Sequence, residues 1–275
     1  MKPNLEPVGA SKQPDWDHGS HKDFFNYYAE ASQTPATEQR FRGIQKAVLR
    51  VAVQNGMPTS LDVADIGCGA GTQARMWAAL GHRVHGLDVN EPLIKLARER
   101  ACEKSLDVVF EVGTATALPW TDASMDVCLI PELLEHVTDW QACLREASRV
   151  LRIGGLLYVS TTNVLCPIQQ EFDLPLYSWY PGSIKRYYER VAVTTRPEIV
   201  NYAKYPAVHW FSFYGLQRHL GSLGFRCLDR FDLIDRAAKP VHARFIVSLL
   251  RSFRFARFLG HVATPGTSLI AVKRS

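Results

Sequence analysis

The sequence predicts an α/β fold: a doubly wound, mostly parallel sheet of seven strands with helices on both faces. Apolar runs of strand length alternate with helical patterns through most of the 275 residues. That alternation gives parallel strands joined by right-handed crossovers. A glycine-rich turn follows the first apolar run, as it does where such a sheet builds its ligand site. The length fits one domain of this class with insertions.

The first strand is predicted at residues 61–66 and leads into a turn with alternating glycines. These glycines are Gly67, Gly69 and Gly71. Glycine permits positive φ and places no side chain between backbone and ligand, so the turn can lie against a bound nucleoside. A dinucleotide fingerprint requires G-x-G-x-x-G, but Thr72 occupies the position of its third glycine. With Asp65 ahead of the turn, the pattern is instead acid-x-G-x-G-x-G.

The second strand is predicted at 83–88 and ends in an acid. Asp88 follows the glycine turn by about 20 residues, where a carboxylate can accept hydrogen bonds from ribose hydroxyls. An isolated aspartate at a strand end is commonly only solvated, but the turn ahead of it favours the ribose-binding interpretation.

The remaining elements continue the alternation. Further strands are predicted at 107–112, 125–130, 154–162, 226–233 and 267–273. Helices are predicted at 72–80, 91–104, 138–152 and 214–223. The glycines at 154 and 155 predict the end of the third of these helices.

We expect five parts along the chain. They are a flexible N-terminus at 1–22, a helical cap at 23–56, the ligand-binding core at 57–165, an aromatic insertion at 166–211, and the C-terminal part of the core at 212–275.

The aromatic insertion stands out by composition. Residues 166–214 contain 12 of the chain's 29 aromatic side chains and five prolines, which excludes a regular sheet element. Because loops at the carboxyl ends of strands build the ligand site, we interpret the insertion as a lid that binds substrate. The alternative is that the aromatic side chains pack on one another, and the two interpretations are compatible.

A second insertion, at 236–265, alternates apolar and basic residues. No Asp or Glu follows Asp235, whereas eight Lys and Arg residues do. A basic amphipathic helix of this kind can lie on an anionic bilayer or line the path of an apolar substrate. The alternative is an ordinary surface helix docked on the body. The basic excess is local, so the net charge of +5 does not indicate nucleic-acid binding.

Composition also bounds location and partners. No apolar run is long enough for a membrane span, residues 1–21 lack the apolar segment of a signal peptide, and the six cysteines form no C-x-x-C pair. We expect a cytoplasmic protein with reduced thiols. Peripheral contact with a membrane through residues 236–265 is the alternative. The sequence leaves the oligomeric state open.

The motifs together resemble those of class I S-adenosylmethionine (SAM)-dependent methyltransferases over about residues 60–162. The matching motifs are Asp65-Ile-Gly67-Cys-Gly69-Ala-Gly71, Gly86-Leu-Asp88, Ala117-Leu-Pro-Trp120, Leu134-Glu-His-Val137 and Gly154-Gly155. Glu132-Leu-Leu-Glu135-His136 and Ser160-Thr-Thr-Asn163 are similar to the O-methyltransferases of ubiquinone biosynthesis. The resemblance implies a Rossmann-like methyltransferase fold with a reversed last hairpin, SAM as cofactor with S-adenosylhomocysteine (SAH) as product, and a small apolar or aromatic acceptor methylated at oxygen.

The resemblance also implies cofactor contacts. Asp65 would lie near the methionyl ammonium, and Asp88 would hold the ribose diol. The other implied contacts are Gly67, Cys68 and Gly69 beside methionine and ribose, Val89, Thr114 and Ala115 around adenine, the Pro131 carbonyl at the pocket wall, and Arg42 at the SAM carboxylate. At the position of Thr114 the family usually has an acid, so the adenine contact departs from the family pattern.

A hydroxyl acceptor must lose its proton, which requires a base with a pKa near neutrality. His136 is the predicted base, because an unperturbed histidine has a pKa of about 6.5. The alternative is a histidine that caps the next helix or packs under the lid. His209 and His219 are further acid/base candidates. In ubiquinone-type relatives the Glu-x-x-Glu-His cluster resembles a divalent-metal site, so Glu132, Glu135 and His136 are candidate ligands here, although we do not expect a metal.

Other functions remain open at this point. The methyl acceptor could be nitrogen or carbon of a natural product or lipid. The chain could also be a non-catalytic protein of the same fold that binds a partner through its basic insertion. The intact glycines and Asp88 argue against this alternative, because such a protein need not keep a SAM pocket. A nicotinamide dehydrogenase is disfavoured by Thr72. Nucleic acid is not an expected partner, since Ile130-Pro131-Glu132 replaces the Asn-Pro-Pro-Tyr of DNA base methyltransferases and no aromatic platform with interleaved basic residues is present.

Overall fold

The structure, a computed structural model, describes residues 29–30, 32–169, 171–200 and 207–275. The N-terminus expected at 1–22 lies outside these residues, as does the cap up to residue 28. The helices are α1 (Pro35–Gln54), α2 (Thr72–Ala78), α3 (Glu91–Glu103), α4 (Trp140–Val150), α5 (Gly182–Thr194), α6 (Phe213–Ser222), α7 (Val241–Ser252) and α8 (Arg254–Val262). The strands are β1 (Asp62–Ile66), β2 (Arg83–Asp88), β3 (Val108–Val112), β4 (Met125–Pro131), β5 (Leu151–Thr162), β6 (Phe225–Asp229) and β7 (Gly266–Lys273).

The seven strands form one sheet in the order β3-β2-β1-β4-β5-β7-β6. Strands β1 to β5 pair in parallel, whereas β7 runs antiparallel to both β5 and β6. This arrangement confirms the predicted fold class and its reversed last strand. Because β1 lies between β2 and β4, the strand order reverses there, which is where a doubly wound sheet opens its ligand crevice.

Helices pack on both faces of the sheet, each face with its own apolar cluster. On one face, α1, α2 and α3 contribute the fully buried Val48, Trp77 and Ile94. On the other, α4 and α6 contribute Leu144 and Leu216. Successive residues of β1 and β4 join alternate clusters, as the pleat requires. The sheet is therefore a rigid platform beneath the glycine turn.

The fourth helix and the fifth strand meet earlier than predicted. Helix α4 ends at Val150 and β5 begins at Leu151, so both glycines lie inside the strand. Gly154 has a φ of 84°, and a Cβ on Gly155 would lie 2.8 Å from the Arg152 carbonyl oxygen. The register against β4 also shifts here. The glycines therefore form a bulge in β5 and do not stop the helix, which corrects the prediction.

Strand β6 is shorter than the predicted 226–233 because a turn ends it. The carboxylate of Asp229 accepts hydrogen bonds from the backbone N–H groups of Phe231 and Asp232, at 2.9 and 3.1 Å. An aspartate that bonds its own following backbone in this way is a turn former.

The aromatic insertion has a small core of its own. It contains α5 and two short 3-10 turns, Tyr177–Trp179 and Pro197–Val200. Tyr177 is fully buried and stacks on Phe172 with ring centroids 3.9 Å apart. Its aromatic side chains therefore pack on one another, as the second interpretation expected. Tyr202 and Tyr205, which the composition counted with them, lie outside the described residues.

The basic insertion is two helices, not one. Helices α7 and α8 contact each other and are separated by Phe253, whose backbone is extended. Among the residues that the structure describes, no helix has the length and apolar character needed to cross a membrane.

Candidate functional site

The glycine turn between β1 and α2 is a cradle that only glycine can build. Gly67, Gly69 and Gly71 have φ values of 78°, 50° and 72°. A Cβ on Gly71 would lie 2.6 Å from the Phe110 ring, and one on Gly67 would lie 3.0 Å from Leu133. The N–H groups of Gly67 and Cys68 donate to the Leu87 carbonyl at 2.8 and 3.1 Å, which holds the turn against β2. The turn therefore presents backbone without side chains at the carboxyl end of β1.

Asp65 places a buried carboxyl group at the base of this cradle. Its side chain is 1% exposed. Its Oδ1 lies 3.5 Å from Gln73 Nε2, and its Oδ2 has no hydrogen-bond partner within the described residues. Burial raises the pKa of Asp65 to about 7; the Ala74 backbone N–H nearby opposes this shift, and the charge of Asp88 adds to it. A buried acceptor without a partner is costly, and a cationic donor would satisfy it.

Asp88 ties the glycine turn to β2. Its Oδ2 accepts a hydrogen bond from Gly69 N–H and its Oδ1 accepts one from Asn90 N–H, both at 2.8 Å. A carboxylate has about four acceptor positions, which allows one group both to hold the turn and to accept from a diol. The structure thus places Asp88, the residue predicted to bind ribose, beside the turn.

The other predicted cofactor residues lie at the ends of β1, β2, β3 and β4. The thiol of Cys68 is buried, and burial together with Asp65 and Asp88 raises its pKa, so it stays neutral. Val89, after β2, is 47% exposed and available for packing. The hydroxyl oxygens of Thr114 and Thr116 lie 2.9 Å apart in the turn after β3. Ala115 is buried in that turn, and Pro131 ends β4.

The resemblance implies that Arg42 on α1 contacts the SAM carboxylate, but in the structure it is Arg40 of this helix that lies at the end of β4. Arg42 is exposed and forms an ion pair of 2.8 Å with Glu38, one turn earlier in the helix. Arg40 forms an ion pair with Glu132, which directly follows β4. The role of Arg42 toward SAM stays a prediction. No local pattern indicates the Arg40 contact, because its two partners lie 92 residues apart in sequence.

The segment after β4 is a series of turns, so the candidate metal ligands do not converge. Glu132 has a φ of 51° and faces Arg40. The side chain of Glu135 is 1% exposed and accepts a hydrogen bond of 2.8 Å from Thr161 Oγ1 on β5. Within the described residues there is no group of three or more His, Cys, Asp or Glu placed to hold a metal ion. The candidate ligands Glu132, Glu135 and His136 therefore lie on successive turns and not on one face of a helix.

Glu135 is a buried acid between the β4 turn and the aromatic insertion. Burial raises the pKa of Glu135 to about 8, despite the hydrogen bond from Thr161. Its backbone carbonyl oxygen accepts hydrogen bonds from Val208 and His209 N–H, at 2.9 and 3.2 Å. The returning end of the insertion is thus fixed to the β4 turn, which is where a lid would have to attach.

The three candidate histidines have different surroundings. The backbone N–H of His136 donates to the Leu133 carbonyl in the β4 turn, and its side chain is half-buried. His209 lies beside the same turn, with Nε2 3.1 Å from the Thr138 carbonyl oxygen. His219 lies on α6 against the Trp140 ring at 4.8 Å, and burial with Arg145 nearby lowers its pKa. The structure thus places His136 and His209 at the β4 turn and His219 between α6 and α4.

An apolar cavity lies between α1 and the segment that follows β6. Its volume is about 320 Å³. Ile44 and Ala47 of α1 form one wall of this largely apolar cavity, and Phe231 and Leu233 form the other. Tyr158 of β5 contributes to the lining, and Arg230 and Ser268 add polar groups to it. The volume is at the lower end of the range for small-molecule sites.

Comparison with known proteins agrees with this geometry. Residues 64–159 match the methyltransferase domain family. The chain is similar to the ubiquinone biosynthesis O-methyltransferases of Parvibaculum lavamentivorans, 38% identical over 99 residues, and Caulobacter vibrioides, 38% identical over 104 residues. These matches cover 36% and 38% of this chain. The chain spans only 39% and 41% of the length of these relatives.

Solved structures show the same fold. The YcgJ protein of Bacillus subtilis matches with a TM-score of 0.53 at 19% identity, covering 84% of this chain and 99% of that one. A SAM-dependent methyltransferase of Thermotoga maritima matches with a TM-score of 0.51 at 20% identity, covering 92% and 97%. The doubly wound fold is therefore confirmed, and over residues 64–159 the chain matches a methyltransferase domain, as the resemblance predicted.

Proposed function

We propose that this chain, whose residues 64–159 match the methyltransferase domain family, is a SAM-dependent methyltransferase that methylates a small apolar or aromatic acceptor at oxygen. The observation that carries the proposal is the buried carboxyl of Asp65 beside a turn of three glycines at positive φ. The ammonium group of a ligand's amino acid moiety, held above the turn, would donate a hydrogen bond to that carboxyl. The likeness of the core to ubiquinone biosynthesis O-methyltransferases supports an oxygen acceptor.

The chain's own residues would bind the cofactor in two parts. Asp65 would pair with the ammonium of the methionyl end, and Asp88 would accept from the ribose hydroxyls. Val89 and Ala115 would pack on the adenine, with the Thr114 hydroxyl near its edge. When bound, SAM supplies an activated methyl group on a sulfonium, so the protein has mainly to align the acceptor and exclude water.

We propose the apolar cavity beside α1 as the site for the apolar part of the acceptor. The ion pair between Arg40 of α1 and Glu132 connects this helix to the end of β4. The cavity wall formed by Ile44 and Ala47 lies one to two turns further along the same helix. An apolar group bound there would have its reactive end toward the β4 turn.

We propose His136 as the base that accepts the proton of the acceptor hydroxyl. It is half-buried in the β4 turn, and histidine is the side chain type that most often transfers protons near neutral pH. Glu135 is less suited, because its raised pKa and its bond to Thr161 keep it a neutral structural acid at pH 7. His136→Ala should lower kcat about 100-fold near pH 7 while SAH affinity is unchanged. Full turnover of this variant would remove His136 from the mechanism.

Methyl transfer can be tested with methyl-labelled SAM and a matched pair of alkylated acceptors, a catechol and the corresponding aniline. The proposal expects label on the catechol oxygen and loss of transfer in Asp88→Ala. Label on the aniline alone would favour the nitrogen alternative. If SAH binds but no acceptor of either class is methylated, the proposed acceptor class is wrong.

The acceptor site can be tested by filling the cavity. Ala47→Trp should raise the KM for an apolar acceptor about tenfold or more and leave SAH affinity unchanged, because a large ring would occupy the cavity. Val53→Trp is the matched control, since Val53 lies on the same helix and is 77% exposed. Equal KM values for the two variants would place the acceptor elsewhere.

A further inference from the structure

Helices α7 and α8 present a stripe of large apolar side chains to the surface. On α7, Val241, Phe245 and Leu249 are exposed at intervals of four residues, with Ile246 beside them. On α8, Phe255, Phe258 and Leu259 are exposed at the i, i+3 and i+4 positions of one face. Phe245 and Phe255 are 71% and 73% exposed. Apolar residues in such numbers on consecutive helices mark an interaction surface.

The opposite faces of these helices are fixed to the body, so the exposed stripe is not their docking side. His261 of α8 is buried, with Nε2 2.9 Å from Asp229 Oδ2, and Arg257 Nε donates to the same oxygen at 2.6 Å. Burial raises the pKa of Asp229, but these two bonds outweigh it and hold the pKa below its ordinary value. Arg251 of α7 donates to three backbone carbonyl groups in the segment after β6.

Charge around the stripe has a single sign. No Asp or Glu follows Asp235. Arg236, Lys239 and Arg254 are exposed next to or within the two helices, and within the part of the chain that the structure describes none of them has an ion-pair partner. Arg244, Arg251 and Arg257 donate hydrogen bonds to other groups of the protein. Within the described residues the other three cations make no such bond, so they are available to an external anion.

We propose that the face formed by α7 and α8 binds the surface of an anionic lipid bilayer. Apolar side chains on one face with cations beside them match a bilayer, in which acyl chains lie below an anionic headgroup layer. The helices would lie in the interface, since neither could cross the bilayer. A second copy of this chain fits less well, because a symmetric contact would bring the same cations together. The proposal does not depend on the methyltransferase activity.

Vesicle co-sedimentation of the full chain tests the proposal. The protein should pellet with vesicles of phosphatidylcholine and phosphatidylglycerol, less with phosphatidylcholine alone, and less at high salt. Phe245→Ser with Phe255→Ser should lower the partition coefficient about tenfold or more. Lys239→Glu with Arg254→Glu should abolish the preference for the anionic lipid. This second pair keeps the proposal testable if the first does not fold.

The matched control replaces two equally exposed apolar residues elsewhere. Val53→Ser with Ile153→Ser removes side chains that are 77% and 73% exposed, and it should leave vesicle binding unchanged. Failure of the wild type to bind anionic vesicles, or equal loss in the control, would overturn the proposal. So would sedimentation velocity showing a dimer that Phe245→Ser with Phe255→Ser dissociates, since the face would then hold a second copy.

Discussion

At the scale of single residues, we propose that Asp65 links the fold to ligand binding. Its buried carboxyl has a pKa of about 7, so much of it is protonated near pH 6.5. A bound ammonium would favour the carboxylate and lower that pKa. Ligand binding and proton release should therefore be coupled at this residue.

We predict that SAH binding at pH 6.5 releases about half a proton or more per site. Calorimetry in buffers of different ionisation enthalpy measures this number. Asp65→Asn should remove the release and weaken SAH binding about tenfold or more, because a charge-assisted hydrogen bond is lost. Asp122→Asn, at a side chain that is 79% exposed, is the control and should keep both properties. Unchanged proton release in Asp65→Asn would contradict this role.

Glu135 should make stability depend on pH. Its pKa of about 8 lies above the ordinary value, so the folded state holds its proton more tightly than the unfolded chain. That contribution is fully present below the unfolded pKa of about 4 and is lost as the pH rises through about 8.

We predict that Glu135→Gln reduces the loss of unfolding free energy between pH 6 and 8 by about 2 kcal/mol. The amide can still accept from Thr161 Oγ1 but cannot ionise. Urea unfolding at several pH values measures the slope. Parallel pH profiles for the variant and the wild type would show that Glu135 ionises freely in the fold.

At the scale of elements, Gly71 in the glycine turn is required for two reasons: its φ is positive, and there is no room for a Cβ. Gly71 has a φ of 72°, and its missing Cβ would lie 2.6 Å from Phe110 and 2.8 Å from Ala97. Gly81 has a φ of 84° but nothing within 4 Å of its added Cβ. Gly71 and Gly81 therefore share a positive φ and differ in the space available for a side chain.

We predict that Gly71→Ala lowers the unfolding free energy more than Gly81→Ala does. Both substitutions incur a left-handed backbone cost of about 1–2 kcal/mol, and Gly71→Ala adds overpacking of about 1–3 kcal/mol. Urea unfolding of the two variants measures the difference. Equal losses would mean that Phe110 of β3 and Ala97 of α3 move aside and that the turn is not tightly packed.

The elements also show how far sequence patterns reach. The motifs located β1, the glycine turn and Asp88, because their spacing is local. They misplaced the end of α4, since a bulge at Gly154 depends on the register against β4. Contacts across the chain were not predictable: Arg40 meets Glu132 across 92 residues, and Thr161 meets Glu135 across 26. No periodicity encodes such pairs.

At the scale of the whole molecule, the protein combines a core that matches the methyltransferase domain family with two insertions. The core at 64–159 was predictable because its motifs recur in a known family. The aromatic insertion was recognised by composition, but its internal core and its attachment to the β4 turn follow from packing. The basic insertion was recognised by its charge, but its division into α7 and α8 was not predicted.

The central claim is that the glycine turn and Asp88 form a SAM pocket, and titration calorimetry with SAH tests it most directly. We expect saturable binding at micromolar SAH, with Asp88→Ala weakening it about tenfold or more because the ribose loses its acceptor. No heat of binding at millimolar SAH, or binding of NADH in its place, would contradict the claim.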